Sequence, residues 1–449
     1  MSKGITAISI RGFKSFDSEA HIQVRPLTIL AGANSSGKSS IIQPLLMMKQ
    51  TLDESYDPGA LKINGPNVQF TSINQFLSKL AGKKQNDRFK ISVEIDGVES
   101  IDEIFIKDEK KGIDILEAVY KGKDEAIKVN RNMTHEEILA TNPSLKSLFD
   151  SFEKFFKMTR NNENLIVKSM VWRDRCFIEP MISVEVDISV EGKKLLEPKI
   201  PLTPSSNLFA KNISSIIHVP ALRGNPRRTY DISAIGPKFP GTFEKYIASI
   251  IHVWQTNSDS RLLAIGESLE RLGLTWKVSA KLIDDANVEL LVGRLPHSTR
   301  GGAKDLVSIA DVGFGVSQTL PVLVALLAAE SGQLVYIEQP EIHLHPRAQV
   351  AMAEILADAA KRGVVLVAET HSALLLQGVQ TLVAEGSLSP DLVKFHWFQR
   401  RPDGATEVKS ADLDSTGAFG EEWPVDFADV QMEAEMRYLD AAEEQLGLT

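Results

Sequence analysis

The stretch Gly32-Ala33-Asn34-Ser35-Ser36-Gly37-Lys38-Ser39 matches G-x-x-x-x-G-K-[ST] at every fixed position. It directly follows a short apolar run, Leu27–Ala31, and precedes a second one that holds Ile41, Ile42, Leu45, Leu46 and Met47. Strand, glycine-rich turn and helix in that order make a phosphate cradle. The glycines let the backbone curl so that successive N–H groups face one point, and the helix N-terminus adds partial positive charge there. Lys38 is placed for β- and γ-phosphate oxygens and the Ser39 hydroxyl for magnesium. Gly32, Ala33, Asn34, Ser35, Ser36, Gly37, Lys38, Ser39 and Ser40 are therefore the candidate nucleotide-binding residues. Pro44 falls in the second turn of the predicted helix, where its missing N–H predicts a kink or local irregularity.

A chain of 449 residues is too long for one compact core, so two or three domains are expected. Hydrophobic residues at 43% and charged residues at 24% exclude wholesale disorder. Lysine and arginine total 50 against 59 acids, a net charge of -9, so the chain has no global basic field. Contact with nucleic acid has to come from a local patch, and the most basic short cluster is Arg223-Gly224-Asn225-Pro226-Arg227-Arg228. The single cysteine, Cys176, has no partner for an internal disulfide. The opening MSKGITAISIRGF has no apolar signal core, and no run of about 18 apolar residues occurs. A soluble, cytoplasmic protein without membrane contact is expected.

The last third returns to alternating strands and helices. Gly313-Phe314-Gly315-Val316-Ser317-Gln318 is a second glycine–serine turn, and it feeds the apolar run Val316–Ala329, a predicted helix with Ser317 as candidate N-cap. Gln333–Ile337 is a predicted buried strand that ends on Glu338, where an acid that organises magnesium belongs. Pro346–Arg362 is a predicted helix, opened by proline and closed by Gly363. Val364–Ala368 is a further buried strand, followed by Glu369-Thr370-His371-Ser372. This alternation implies a mostly parallel sheet. From about residue 77 to 205 the sequence is dense in mixed charge, with strand-like pieces such as Phe89–Val93. That pattern predicts a solvated insertion of mixed α and β structure, and no heptad is sustained long enough for a coiled-coil arm.

A phosphate loop, a glycine–serine turn, an acid-ended strand and a strand-terminal histidine, in that order, resemble the ABC-type ATPases, and among them the SMC, RecF and OLD-like branch. Ile10-Arg11-Gly12-Phe13-Lys14-Ser15-Phe16 and Pro26-Leu27-Thr28-Ile29 resemble that branch as well. The resemblance implies an α/β P-loop NTPase whose ABC-type nucleotide-binding domain is split by a mixed α/β insertion. It implies ATP and Mg2+ as ligands, with Glu338 as the Walker B acid and Ser39 and Glu338 holding the metal. Gly315, Ser317 and Gln318 correspond to the ABC signature, Glu341 to His345 to the D-loop, and His371 to the switch histidine that senses the γ-phosphate. In this family two nucleotide domains sandwich two ATP molecules, so a homodimer or larger even oligomer is implied. One position departs from the pattern: Gln339 stands where the family has a catalytic glutamate. An amide orients a water but accepts no proton. Slow turnover is expected, or Glu341 as a substitute base, and the candidate catalytic set is Glu338, Gln339, Glu341 and His371.

The implied organisation is an N-terminal lobe at 1–76, the insertion at 77–212, a connecting region at 213–304, a C-terminal lobe at 305–400 and a tail domain at 401–449. The tail, with Trp423 and Phe427 ahead of an amphipathic helix to Leu448, resembles the short C-terminal domain of bacterial OLD-like ATPases, some encoded in anti-phage systems. The expected function is a dimerising ATP switch that serves a separate effector protein in such a system. Two alternatives stay open: a RecF-like repair ATPase that binds DNA through Arg223, Arg227 and Arg228, and the ATPase part of an OLD-type nuclease.

Overall fold

Continuous apolar runs such as Leu27–Ala31 have no polar face, so they need neighbours on both edges and cover on both sides. The computed structural model supplies both. It describes residues 4–110, 112–123, 125–160, 165–188, 193–196, 200–201, 205–295, 305–420, 436–440 and 442. The strand Leu27–Gly32 is buried at every position and lies inside a six-stranded sheet. The order across that sheet is Ile217–Val219, Leu334–Glu338, Val365–Thr370, Leu27–Gly32, Val393–Arg400 and Thr406–Ala411. The first five strands run parallel and the last, Thr406–Ala411, is antiparallel.

Successive side chains on a strand face opposite ways, and here each face has its own core. Leu27, Ile29, Val335, Ile337, Leu366 and Ala368 pack with the helices Phe314–Ala328, Pro346–Lys361 and Ala373–Ala384. Leu30, Leu334, Tyr336, Val365 and Val367 pack on the other side with the helix Lys38–Leu52. That helix runs without interruption from Lys38 to Leu52 with Pro44 inside it. Pro321 is likewise accommodated inside Phe314–Ala328.

A second sheet covers the Lys38–Leu52 helix. Its order is Ala20–Gln23, Ile5–Arg11, Arg88–Ile95, Glu99–Asp108, Gly112–Lys121 and Ala126–Asn130, all antiparallel. It takes strands from both sides of residue 77. Phe89, Ile91, Val93 and Ile95 turn inward at period two, and the charges of this segment lie mostly on the outer face. Glu103 and Asp114 are buried exceptions, and neither carboxyl oxygen of Glu103 is hydrogen-bonded. The strands Leu165–Asp174 and Phe177–Ile188 form a hairpin beyond that sheet, before the chain re-enters the central sheet at Ile217–Val219.

The parallel register brings the strand ends into line: Glu338 stands opposite Glu369, and Thr370 opposite Ala31. This is an α/β fold with a P-loop after a central parallel strand, and the chain between Gly32 and Ile217, where the next strand of that sheet begins, forms mixed α and β structure. In such sheets ligands bind beyond the carboxyl ends of the strands. Among the described residues no helix is long and apolar enough to cross a membrane. The aromatic loop with Trp423 and Phe427, and most of the helix expected up to Leu448, lie outside the described residues.

Candidate nucleotide-binding site

The phosphate-binding loop begins and ends on glycines in conformations that side chains rarely adopt. Gly32 has φ 143°, and a Cβ there would run into the carbonyl of Phe398. Gly37 has φ 110°, and a Cβ there would lie 2.7 Å from Thr406 Oγ1. Thr406 Oγ1 donates to the Ser36 carbonyl at 2.7 Å and shares a hydroxyl–hydroxyl hydrogen bond with Ser15 Oγ at 2.7 Å, so the antiparallel edge strand and the N-terminal segment together brace the loop. Lys38 opens the helix and is nearly buried. Its Nζ donates to the carbonyls of Gly32 and Ala33 at 3.0 and 2.9 Å. Burial holds its pKa below the ordinary lysine value, with Glu369 and Glu341 pulling the other way.

These residues line a cavity of about 440 Å3. Ser35, Ser36, Gly37, Lys38, Ser39 and Ser40 form its floor, with Glu338, Gln339, Glu369 and His371 at the strand ends. Lys14 and Arg400 add two further cations that sequence reasoning did not single out.

The acids are arranged differently from expectation. Ser39 Oγ donates to Glu369 Oε1 at 2.8 Å, not to Glu338, and the buried Tyr336 hydroxyl donates to Glu369 Oε2 at 2.6 Å. Glu338 instead accepts from His218 Nε2 and from the Ala221 amide, both at 3.2 Å. Asn67 Nδ2 donates to His218 Nδ1, which leaves the ring proton on Nε2, facing Glu338. Burial pushes Glu338 upward, but the His218 bond and ring, the Ala221 amide and Arg223 outweigh it, so its pKa is lowered. Burial, reinforced by the neighbouring Glu338, raises Glu369 against its hydroxyl donors and Lys38.

Gln339 and Glu341 part company. Gln339 lines the cavity from a left-handed backbone, φ 48°, with its amide donating to the Glu369 carbonyl at 2.7 Å. Glu341 is buried behind it, and its Oε1 accepts from Thr370 Oγ1 at 2.7 Å and the His371 amide at 3.0 Å. Glu341 is thus the post on which the strand end carrying His371 is hung, and it is not among the cavity-lining residues. Burial, then Lys38, lowers the His371 pKa, so the ring is neutral at pH 7 and keeps an N–H to donate.

The glycine–serine turn also differs in detail. The helix begins at Phe314 with Gly313 as its N-cap, and Ser317 is inside it, donating to the Phe314 carbonyl at 3.1 Å. The N-cap assignment to Ser317 is therefore corrected. Ser317 is half-buried in the first turns of the helix, while Gln318 is buried and donates to the Arg223 and Gly224 carbonyls. Gly315, Ser317 and Gln318 are not among the described residues lining the phosphate cavity. The DNA role expected of Arg223 is corrected too. Its guanidinium is buried and donates to the carbonyls of Gln318, Glu338 and Gln339. Arg228 forms a two-pronged pair with Asp311, leaving Arg227 as the other exposed member of that cluster. His345 caps the helix Pro346–Lys361, and His343 lies against Phe314 with ring centroids 6.0 Å apart. Among the described residues no group of three or more metal-ligating side chains occurs.

Residues 4–217 match the family described as "AAA ATPase domain", and residues 221–377 match the one described as "AAA domain, putative AbiEii toxin, Type IV TA system". Over these two segments the chain is similar to AAA-type ATPase domains. No curated protein matches the chain. Three solved structures are similar to it at low identity. An SMC head bound to the C-terminal winged-helix domain of ScpA is 12% identical, with a TM-score of 0.44 over 92% of this chain and 98% of that one. The SMC head domain of Thermotoga maritima is 10% identical, with a TM-score of 0.38 over 91% and 100%. An SMC head domain with an extended coiled coil, bound to the C-terminal domain of ScpA and derived from Pyrococcus furiosus, is 12% identical, with a TM-score of 0.44 over 98% and 99%.

Proposed function

We propose that this ATPase is a slowly hydrolysing, dimerising switch of the OLD/RecF type, acting in the cytoplasm as the sensor or scaffold of a bacterial anti-phage system beside a separate effector protein. One observation carries the dimer. The phosphate cavity is built without Gly315 or Ser317, although that helix start is partly exposed and no side chain caps its first N–H groups, donors of the kind a γ-phosphate needs. A second copy, turned to face the first, supplies them. Phe314 at 52% exposure and Leu222 at 90% add exposed apolar side chains to the region of that helix start.

Within one copy, the loop amides and Lys38 bind the β- and γ-phosphates, Lys38 exchanging its contacts with the Gly32 and Ala33 carbonyls for phosphate oxygens. His371 donates its N–H to the γ-phosphate, and Gln339 orients the attacking water. The residues at the cavity fit a magnesium ion: a serine hydroxyl on a carboxylate, a second carboxylate in register beside it, and a cavity wide enough for phosphate. Ser39 and Glu338 would hold that ion, which would supply positive charge to offset the phosphates when bound. Because Gln339 accepts no proton, hydrolysis is slow and the closed state is long-lived. The toxin–antitoxin wording of the family matched at 221–377 supports a setting in bacterial conflict. DNA is not part of this reading, since Arg223 is buried and Arg228 is paired.

Mixing two inactive variants tests the switch. Ser317→Arg blocks closure on a partner's nucleotide, and Lys38→Ala blocks nucleotide binding. Together they restore one working composite site in a fraction of mixed dimers, read as recovered phosphate release. No recovery at any mixing ratio refutes the sandwich.

A further inference from the structure

Glu338 and Glu369 end neighbouring parallel strands in direct register, yet only one of them reaches the phosphate-binding loop. Both oxygens of Glu369 are committed to hydroxyl donors, Ser39 at 2.8 Å and Tyr336 at 2.6 Å. Tyr336 is fully buried within the core and stacks on His218 with ring centroids 5.4 Å apart, so its hydroxyl is a fixed post. The Glu369 carboxyl therefore has one well-defined position, with its free side toward Ser39.

A serine hydroxyl has one proton and two lone pairs. With the proton drawn to Glu369, both lone pairs of Ser39 Oγ remain for a cation. A carboxylate in this place also makes the hydroxyl oxygen more electron-rich, as outer-shell partners do for metal ligands in general. Glu338 offers Ser39 nothing of the kind, since its two oxygens take His218 and the Ala221 amide. The ammonium of Lys38 is turned onto the loop carbonyls, so it does not neutralise the carboxylate pair by contact.

We propose that Glu369 is the positioning residue that prepares Ser39 to bind a divalent cation, acting through the Ser39 hydroxyl, with Tyr336 holding Glu369 in place. The proposal rests on the ATP-binding reading above. It divides between two strands the work expected of the acid at 338 alone: Glu338 contributes its charge to the cavity, and Glu369 orients the serine.

Calorimetric titration with ATPγS, in Mg2+ and in EDTA, tests this without relying on turnover. Wild type binds more tightly in Mg2+ than in EDTA, and the ratio is the readout. Glu369→Gln reduces that ratio by about 10- to 100-fold while affinity in EDTA stays near wild type, because the amides and Lys38 are untouched. Tyr336→Phe, which keeps the ring in the core and removes only the hydroxyl, shifts the ratio the same way by less. A Glu369→Gln protein that keeps the wild-type ratio overturns the proposal, and loss of the ratio in Glu338→Gln alone moves the role to Glu338. Equal loss in Mg2+ and EDTA for Glu369→Gln overturns it as well, since that marks a purely structural residue. A wild type that binds with no gain from Mg2+ overturns the proposal and leaves ATP binding standing. A wild type that binds under neither condition overturns the ATP-binding reading itself.

Discussion

Arg223 Nη2 donates to the main-chain oxygen of Glu338 at 2.7 Å, and the same nitrogen reaches the Gln339 carbonyl at 3.2 Å. Its other terminal nitrogen donates to the Gln318 carbonyl at 2.9 Å, and Gln318 Nε2 returns a bond to the Arg223 carbonyl at 3.1 Å. One planar guanidinium thus ties the first turns of the helix Phe314–Ala328 to the turn that holds Gln339. Burial lowers its pKa to about 10 against the pull of Glu244, Glu341 and Glu338, so it stays charged at neutral pH. A fork of fixed geometry transmits displacement better than a flexible ammonium does. In the dimer proposed above, a displacement of this helix start by the second copy's nucleotide would pull on the Gln339 carbonyl.

Arg223→Lys keeps the charge but cannot bridge three carbonyls. We expect nucleotide binding to persist, turnover to fall, and stability to drop by about 1–3 kcal/mol for the buried acceptors left unpaired. Urea unfolding together with phosphate release checks this. An unchanged midpoint and an unchanged rate would show that the guanidinium couples nothing.

Lys38→Ala abolishes ATP binding. From the sequence, Lys38 is a surface charge. In the fold it is 3% exposed and bound to two loop carbonyls, so its removal also costs some stability. The expected result is a folded protein by circular dichroism with a modestly lower thermal midpoint and no calorimetric signal on ATP addition. Unchanged affinity would sink the phosphate-binding assignment.

What could be seen in the sequence was what lies in contiguous residues. The loop from Gly32 to Ser39 is legible because strand, turn and helix are adjacent in the chain, and the two glycines stand where the backbone demands them. The parts that were missed join strands far apart in sequence. Glu369 ends a buried strand, a visible signal, but that it reaches Ser39 depends on which strand lies next to Leu27–Gly32. Strand order is not written in either segment. Arg223 sits in a basic cluster, and such clusters are usually exposed. Its burial depends on carbonyls more than a hundred residues away. Ser317 suits an N-cap by residue type, but the helix had already begun at Phe314.

Acid destabilises this fold through His396. The ring is fully buried between Ser410 Oγ at 2.8 Å and the Gln23 carbonyl at 2.8 Å, one nitrogen accepting and the other donating. Burial lowers its pKa from 6.5 to about 4, with Lys394 and His21 helping and the Gln23 carbonyl and Asp412 opposing. The unfolded chain therefore takes up this proton first, and stability falls as pH drops through the window from 6.5 toward 4. From about pH 7 to about pH 5 the ring alone removes about 2 kcal/mol. His396→Gln, compared with wild type by denaturant unfolding at both pH values, flattens that slope. An equal slope in both proteins assigns the acid sensitivity elsewhere.

Gln339 and Glu341 make opposite predictions about where the hydrolytic proton goes. Gln339 lines the phosphate cavity, whereas Glu341 is buried behind it with one oxygen on Thr370 and the His371 amide. If the attacking water sits beside Gln339, then Gln339→Glu supplies the missing acceptor. General-base assistance is worth about 10²- to 10⁴-fold, so even a tenfold gain in steady-state phosphate release is easily seen. The new carboxylate joins Glu338 and Glu369 at the strand ends, so this gain should be largest when Mg2+ is saturating. Glu341→Gln keeps an oxygen for Thr370 and His371, so its rate should stay within a few-fold of wild type. The reverse pattern, with Glu341→Gln inactive and Gln339→Glu no faster, would make Glu341 the proton acceptor and require the strand end at His371 to move on ATP binding. If neither substitution changes the rate, a step other than chemistry limits turnover: slow product release would give a pre-steady-state burst of phosphate formation in both variants, and slow closure would give none.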